Sequence, residues 1–222
     1  MLLAVDTSTR AIGLALYDGV QVLSETIWVS QDYHTVELAP AVREMLEKCD
    51  VEVSSLDALA VALGPGSFTG LRIGLALVKG MSMVHRLPLI GIPTLDILAA
   101  TQPLRDEPMA AVLQSGRGRL AVGWYLVMND RWQQTGKIEV LTPKELHKRI
   151  KKPTLVCGEL TQSARSLLER KRVNVISVSP AQSVRRPAYL AELAWQRWEL
   201  DQVDDPASLS PIYLHHHDPI PG

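Results

Sequence analysis

The segment Gly64-Pro65-Gly66-Ser67-Phe68-Thr69-Gly70-Leu71-Arg72-Ile73-Gly74 concentrates the residue types that could hold an anion. Glycines let a backbone approach a ligand closely, and a glycine-rich loop ahead of a helix offers N–H groups to a phosphate. Three chemistries fail on spacing. A phosphate loop of the form GxxxxGK[ST] needs a lysine after its last glycine, but Leu71 follows Gly70 and the next lysine is Lys79. A dinucleotide fingerprint belongs in the first strand-to-helix turn. Here Gly64, Gly66 and Gly70 space as GxGxxxG in a later one, and Gly91-Ile92-Pro93-Thr94 supplies no carboxylate for a ribose. A nucleophile elbow needs GxSxG, whereas Ser67 has Pro65 and Thr69 at those positions. A structural role survives: Gly70, Gly74 and Gly80 keep one side of a helix slim while Leu71, Leu75, Val78 and Met81 form an apolar stripe, for packing against another helix either inside the lobe or on another subunit.

Asp6-Thr7-Ser8-Thr9 closes the first apolar run. A carboxylate there could orient a metal-bound phosphate while the hydroxyls donate to it; the same residue types equally favour a plain strand-end turn. His34, His85 and His147 stand singly, without the spacing of metal ligands. His215 to His217 form a cluster, but in a Pro-rich C-terminal tail expected to be mobile. Cys49 and Cys157 lie too far apart for a CxxC pair and read as thiols of a reducing compartment. Neither a metal nor a cofactor is expected.

The elements that must position these residues follow from periodicity. Leu2 to Asp6, Ile12 to Tyr17 and Val20 to Val29 read as strands, the last two joined by a tight Asp18-Gly19 turn. Leu38, Val42, Met45, Leu46 and Cys49 recur at helical spacing over Val36 to Cys49, with Pro40 near the first turn. A strand at Leu56 to Leu63 leads through the glycines to a helix from Gly70 to about Val84, giving βββαβα. After Pro103 to Pro108 the order repeats. Strands at Met109 to Leu113 and Leu120 to Val127 precede a third ending near Val140, then a helix opened by Thr142-Pro143-Lys144-Glu145. A strand at Thr154 to Cys157 and a helix from Thr161 to Lys171 complete the second βββαβα. A strand at Val173 to Val178 and a helix from Pro187 to Leu200 add to the second lobe. The fold class is α/β, with an N-terminal lobe at 1–105 and a C-terminal lobe at 106–222 that ends in the flexible tail.

With 46% hydrophobic and 21% charged residues in 222, the composition is that of a globular chain. The formal net charge of -1 hides an asymmetry: up to Pro108 there are 7 basic and 13 acidic residues, and beyond it 16 and 11. The basic excess gathers in Lys144 to Lys152, Arg165 to Arg172 and Arg185-Arg186. It forms either solvated helix faces or a contact surface for RNA or an acidic partner. The opening MLLAVD has no basic stretch ahead of an apolar one, and no apolar run is long enough to span a membrane. The reading is a cytoplasmic protein.

AVDTST, then His34-Thr35-Val36-Glu37-Leu38 with Pro40, GPGSFTGLRIG, and Asp205-Pro206-Ala207 through Pro211-Ile212-Tyr213-Leu214 together resemble the TsaB family. The resemblance covers nearly the whole chain. It implies the actin, Hsp70 and sugar-kinase fold, two βββαβα lobes, and a scaffold role rather than catalysis. TsaB-type subunits pair with the catalytic paralogue TsaD, are joined by the ATPase TsaE, and serve threonylcarbamoyladenosine formation beside the anticodon of ANN-decoding tRNAs. The interface it implies lies on the two first-lobe helices, at Leu38, Val42, Met45, Leu71, Gly74, Leu75, Val78 and Met81, with a homodimer when the partner is absent. Asp6, Thr7, Ser8 and Thr9 would be a vestigial nucleotide site. Three positions depart from the family pattern: Gln114 and Arg119 replace acids in a stretch resembling DARRGEVY, and His215 replaces an arginine after Tyr-Leu. The competing expectation is an active ATP-dependent kinase or ATPase of the same fold, working through Asp6.

Overall fold

A computed structural model describes residues 1–31, 34–170 and 173–214. The expected His215 to His217 tail lies outside the described residues, as do Lys171 and Arg172.

The first lobe runs β1 (Leu2–Asp6), β2 (Ala11–Tyr17), β3 (Val22–Val29), α1 (His34–Lys48), β4 (Ala58–Ala62), α2 (Phe68–His85) and β5 (Leu89–Ile92). Its sheet has the order β3-β2-β1-β4-β5, antiparallel from β3 to β1 and parallel from β1 to β5. The second lobe repeats the plan with β6 (Met109–Gln114), β7 (Leu120–Met128), β8 (Arg131–Gln134), β9 (Glu139–Leu141), α4 (Pro143–Arg149), β10 (Thr154–Gly158), α5 (Gln162–Glu169) and β11 (Val175–Ser177). Its order, β11-β10-β6-β7-β8, mirrors the first, and β9 pairs with β7. Two such lobes make the actin, Hsp70 and sugar-kinase architecture.

Side-chain alternation explains how each sheet is covered twice. On β4, Leu59 and Val61 point toward α1 and α2 and join Leu3, Val5, Leu14, Leu38, Met45 and Val78 in one core. Ala58, Ala60 and Ala62 point the other way, toward Leu190, Ala191 and Ala194 of α6 (Pro187–Glu199). Alanines on both surfaces let this helix lie close to the sheet. The second sheet packs α4 and α5 through Leu146, Ile150 and Leu168 on one face, and α3 (Thr94–Ala100) through Leu95 and Leu98 on the other.

The structure departs from the sequence reading at five places. The helix expected to add to the second lobe, α6, covers the first sheet, and it touches α3, which covers the second. Helix α3 itself was not expected: Thr94, Leu95, Ile97, Leu98 and Ala99 are all buried, so its seven residues show no polar face and no helical period. The third strand of the second lobe is two strands, β8 and β9. The Asp18-Gly19 turn is a four-residue loop, because the Asp18 carboxylate accepts the N–H groups of Val20 and Gln21 and extends the bend. Helix α1 starts at His34, which places Pro40 inside the helix and on its exposed side. By contrast, a helix does start at Thr142-Pro143 as expected, and Thr142 and Glu145 there form a full capping box.

Candidate functional site

Strands β1 and β4 are parallel neighbours, Val5 opposite Val61, so their following loops leave the sheet at the same end. The two motifs singled out by residue type therefore meet. Thr7 Oγ1 donates to the Gly70 carbonyl at 2.7 Å, and the Ser67 N–H donates to the Ser8 carbonyl at 2.6 Å. The spacing of the glycines follows from this contact. A Cβ on Gly66 would stand 2.1 Å from the Ser8 carbonyl oxygen, one on Gly70 2.2 Å from that of Thr7, and one on Gly74 2.2 Å from Thr7 Oγ1. Gly80, grouped with them by sequence, has nothing within 4 Å of such a Cβ and lies on the exposed side. The glycines thus receive the chain's own Asp6–Thr9 loop. At the helix start, Ser67 Oγ already accepts the Gly70 N–H.

Asp6 is 2% exposed. Its Oδ1 accepts from the N–H of Ser8 at 2.9 Å and from the Ser8 hydroxyl, and its Oδ2 accepts from Arg185 Nε at 3.0 Å. The same buried guanidinium donates to Glu159, and through Nη2 to Thr9 Oγ1 at 2.7 Å; Thr9 in turn donates to Glu159 at 2.9 Å. Burial alone would push the Arg185 guanidinium down, but the attraction of Asp6 and Glu159 outweighs it and holds the group above its ordinary range. One arginine thus ties the end of β1 to the loop after β10, across the two lobes. Sequence reasoning placed Asp6 to Thr9 correctly at a strand end but missed Arg185 and Glu159. No signal could have found them, since Arg185 sits 179 residues from Asp6 and reads only as part of a basic pair.

Beside this network opens a cleft of about 980 Å³, lined by Arg10, Pro65, Phe68, Gln114, Glu159 and Tyr213 among others. Its wall includes the C-terminal strap. Ile212 N–H donates to the Leu63 carbonyl at 2.7 Å, Tyr213 packs on Phe68 at 5.2 Å, and Arg72 covers Phe68 at 3.7 Å while donating to the Tyr213 hydroxyl at 3.0 Å. The glycine segment and the Pro-Ile-Tyr-Leu segment are therefore one structural unit. A magnesium-nucleotide does not fit the Asp6 position: both carboxylate oxygens are engaged inside the chain, and a buried cation stands beside them.

The residues expected at a subunit interface divide sharply. Leu38, Met45, Leu71, Leu75 and Val78 are 0–6% exposed and face the chain's own core; Gly74 is buried against Thr7. Burial within the chain leaves these side chains little surface. Val42, also buried at 5% exposed, and the half-buried Met81 line, with Ala39, Leu46, Val51 and Leu77, a groove of about 410 Å³ between α1 and α2. Leu75→Arg, at a position the family resemblance puts in the interface, should place an unpaired charge in the core and lower stability by about 3 kcal/mol or more. A urea unfolding midpoint equal to that of the native chain would contradict this.

The family model for TsaD, described as tRNA N6-adenosine threonylcarbamoyltransferase, matches residues 21–181. The chain belongs to this family. Its relatives are of the TsaB type. It is 29% identical over 221 residues to the tRNA threonylcarbamoyladenosine biosynthesis protein TsaB of Bacillus subtilis (strain 168), covering 96% of this chain and 93% of that protein. The solved structure of YeaZ from Pseudomonas aeruginosa superposes with a TM-score of 0.79 at 26% identity, covering 96% of this chain and 99% of that one. More distant likeness shows the fold alone, as with a Clostridium difficile dehydratase activator with bound ADPNP, TM-score 0.53 at 9% identity over 90% of this chain and 96% of that one. Among the described residues no helix is long and apolar enough to cross a membrane, and no group of three or more His, Cys, Asp or Glu could hold a metal ion.

Proposed function

We propose that this chain is a non-catalytic scaffold subunit in the formation of threonylcarbamoyladenosine on ANN-decoding tRNAs. It docks on a TsaD-type catalytic paralogue through the outer face of α1 and α2, is joined by a TsaE-type ATPase, and pairs with itself through the same face in isolation. The reading places it in the cytoplasm. The observation that carries it is the Arg185 side chain buried against Asp6, where a nucleotide-using relative of this fold would need a free carboxylate. The same lobe presents an apolar groove between its two outer helices. A chain that has filled its own reaction centre and kept an apolar helix face is built to bind rather than to react.

The surface residues that test this are Ala76 and Gly80, one turn apart and both exposed on α2. Ala76→Arg/Gly80→Arg should remove co-elution with the TsaD-type subunit in size-exclusion chromatography, a loss of at least about 100-fold in affinity. The thermal midpoint should hold, because neither site is in the core. Unchanged co-elution would overturn the interface. ATP turnover by the pure chain that vanishes in Asp6→Ala would favour the kinase reading instead.

A further inference from the structure

We infer that the end of the second lobe remote from the cleft is an RNA-backbone contact surface. The inference rests on the scaffold reading above for the identity of the RNA.

The topology gathers the charges. Strands β10 and β11 are parallel neighbours with Thr154 opposite Val175, so their starts lie side by side. Each start is fed by a helix: α4 runs into β10 through Lys151 and Lys152, and α5 ends at Arg170 on the way to β11. The two connections touch, since the Thr154 N–H donates to the Asn174 carbonyl at 2.9 Å and Asn174 Nδ2 donates to the Lys151 carbonyl at 3.3 Å. Lys148, Arg149, Lys151, Lys152 and Arg170 are thereby brought to one end, and all five are exposed.

Nearby carboxylates offset part of this charge, and Glu145, earlier on α4, acts on Lys148 electrostatically. Glu139 pairs with Arg149 at 3.3 Å and Glu169 with Arg165 at 3.8 Å. Lys148, Lys151, Lys152 and Arg170 have no ion-pair partner among the described residues. Helix macrodipoles account for Lys148 and Arg149, in the last turn of α4, but not for Lys151 and Lys152, which lie beyond its end. Lysine is depleted in the cores of protein interfaces, whereas unpaired lysines spread over several elements suit a line of phosphates. Arg170 lines a hollow of about 490 Å³ together with Ser166, Ser177, Val175 and Glu169, the last paired with Arg165; serine is among the residue types that contact backbone oxygens. Glu159, in the loop that follows β10, marks the cleft at the opposite end of the strand, so an RNA here would not compete with the cleft.

The test is tRNA binding by the assembled complex, native or carrying Lys148→Gln/Lys151→Gln/Lys152→Gln, measured by filter retention of an ANN-decoding tRNA between about 0.05 and 0.3 M KCl. The triple variant should bind about tenfold more weakly at the lowest salt, and its log–log salt slope should be shallower by about 2. Size-exclusion chromatography should show the same subunit stoichiometry for both, which separates RNA contact from assembly. Equal affinity and equal slope in an intact complex would overturn the surface. Should the native chain assemble with no TsaD-type subunit, the scaffold reading fails separately. The same titration on the chain alone then decides this surface: salt-dependent binding that the substitutions weaken supports it, and its absence overturns it.

Discussion

Arg185→Ala should cost about 3–5 kcal/mol of stability, the largest single effect expected from any polar residue in this chain. The side chain is 3% exposed and is held between Asp6, itself 2% exposed, and Glu159. Removing it leaves Asp6 with one charged partner fewer in a dry site, and a buried carboxylate without its cation is far more costly than the intact pair is favourable. It also unties the lobes, since the guanidinium joins the end of β1 to the loop after β10. Urea unfolding followed by tryptophan fluorescence checks the magnitude. Arg185→Lys should fall between the two, because an ammonium keeps the charge but gathers its donors on one nitrogen, whereas the guanidinium reaches Asp6 from Nε, Glu159 from Nη1 and Thr9 from Nη2. A midpoint for Arg185→Ala within about 0.5 kcal/mol of the native chain would mean that the network is dispensable, and the scaffold reading would lose the observation that carries it.

The second large effect pairs two glycines of one helix with opposite signs. Gly70→Ala should destabilise by about 2–3 kcal/mol, although alanine is the better helix former by about 1 kcal/mol. Its Cβ would stand 2.2 Å from the Thr7 carbonyl oxygen, so the loop carrying Thr7 and Ser8 must move and the Thr7 hydroxyl loses its hold on the Gly70 carbonyl. Gly80→Ala, with no atom within 4 Å of the new methyl group, should stabilise by about 0.5–1 kcal/mol through the unfolded chain's lost freedom. Thermal unfolding of the two variants side by side makes the comparison. Equal shifts of the same sign would remove the contact argument for the GPGSFTG segment. The expected opposition shows why that segment reads like a phosphate loop while its glycines receive this protein's own backbone.

Two kinds of information were distributed differently between sequence and fold. Local and periodic features were legible: the alternating strands, the helix stripes, the helix start at Thr142-Pro143, and the doubled βββαβα order, because each depends on residues a few positions apart. The stripe Leu71, Leu75 and Val78 was read correctly as apolar, but apolarity says that a side chain leaves water and not what it meets. Most of the residues that the resemblance puts at an interface are buried in this chain's own core, and the groove beside Val42 and Met81 emerged only when α1 and α2 were set side by side. Helix α3 was hidden for the complementary reason, being buried nearly all round.

By itself the sequence determined that this protein has two repeated α/β lobes, an Asp-Thr-Ser-Thr strand end, and a glycine segment ahead of a helix. The tertiary structure alone decided what those motifs do. It packed α6 on the first sheet and α3 on the second, and it brought Arg185 and Glu159 to Asp6. It also turned Lys148 to Lys152 and Arg170 to one end of the second lobe. Charge pairing acts through space over a few ångströms, whereas sequence patterns speak only of neighbours along the chain, so a contact spanning 179 residues leaves no trace in either partner's surroundings.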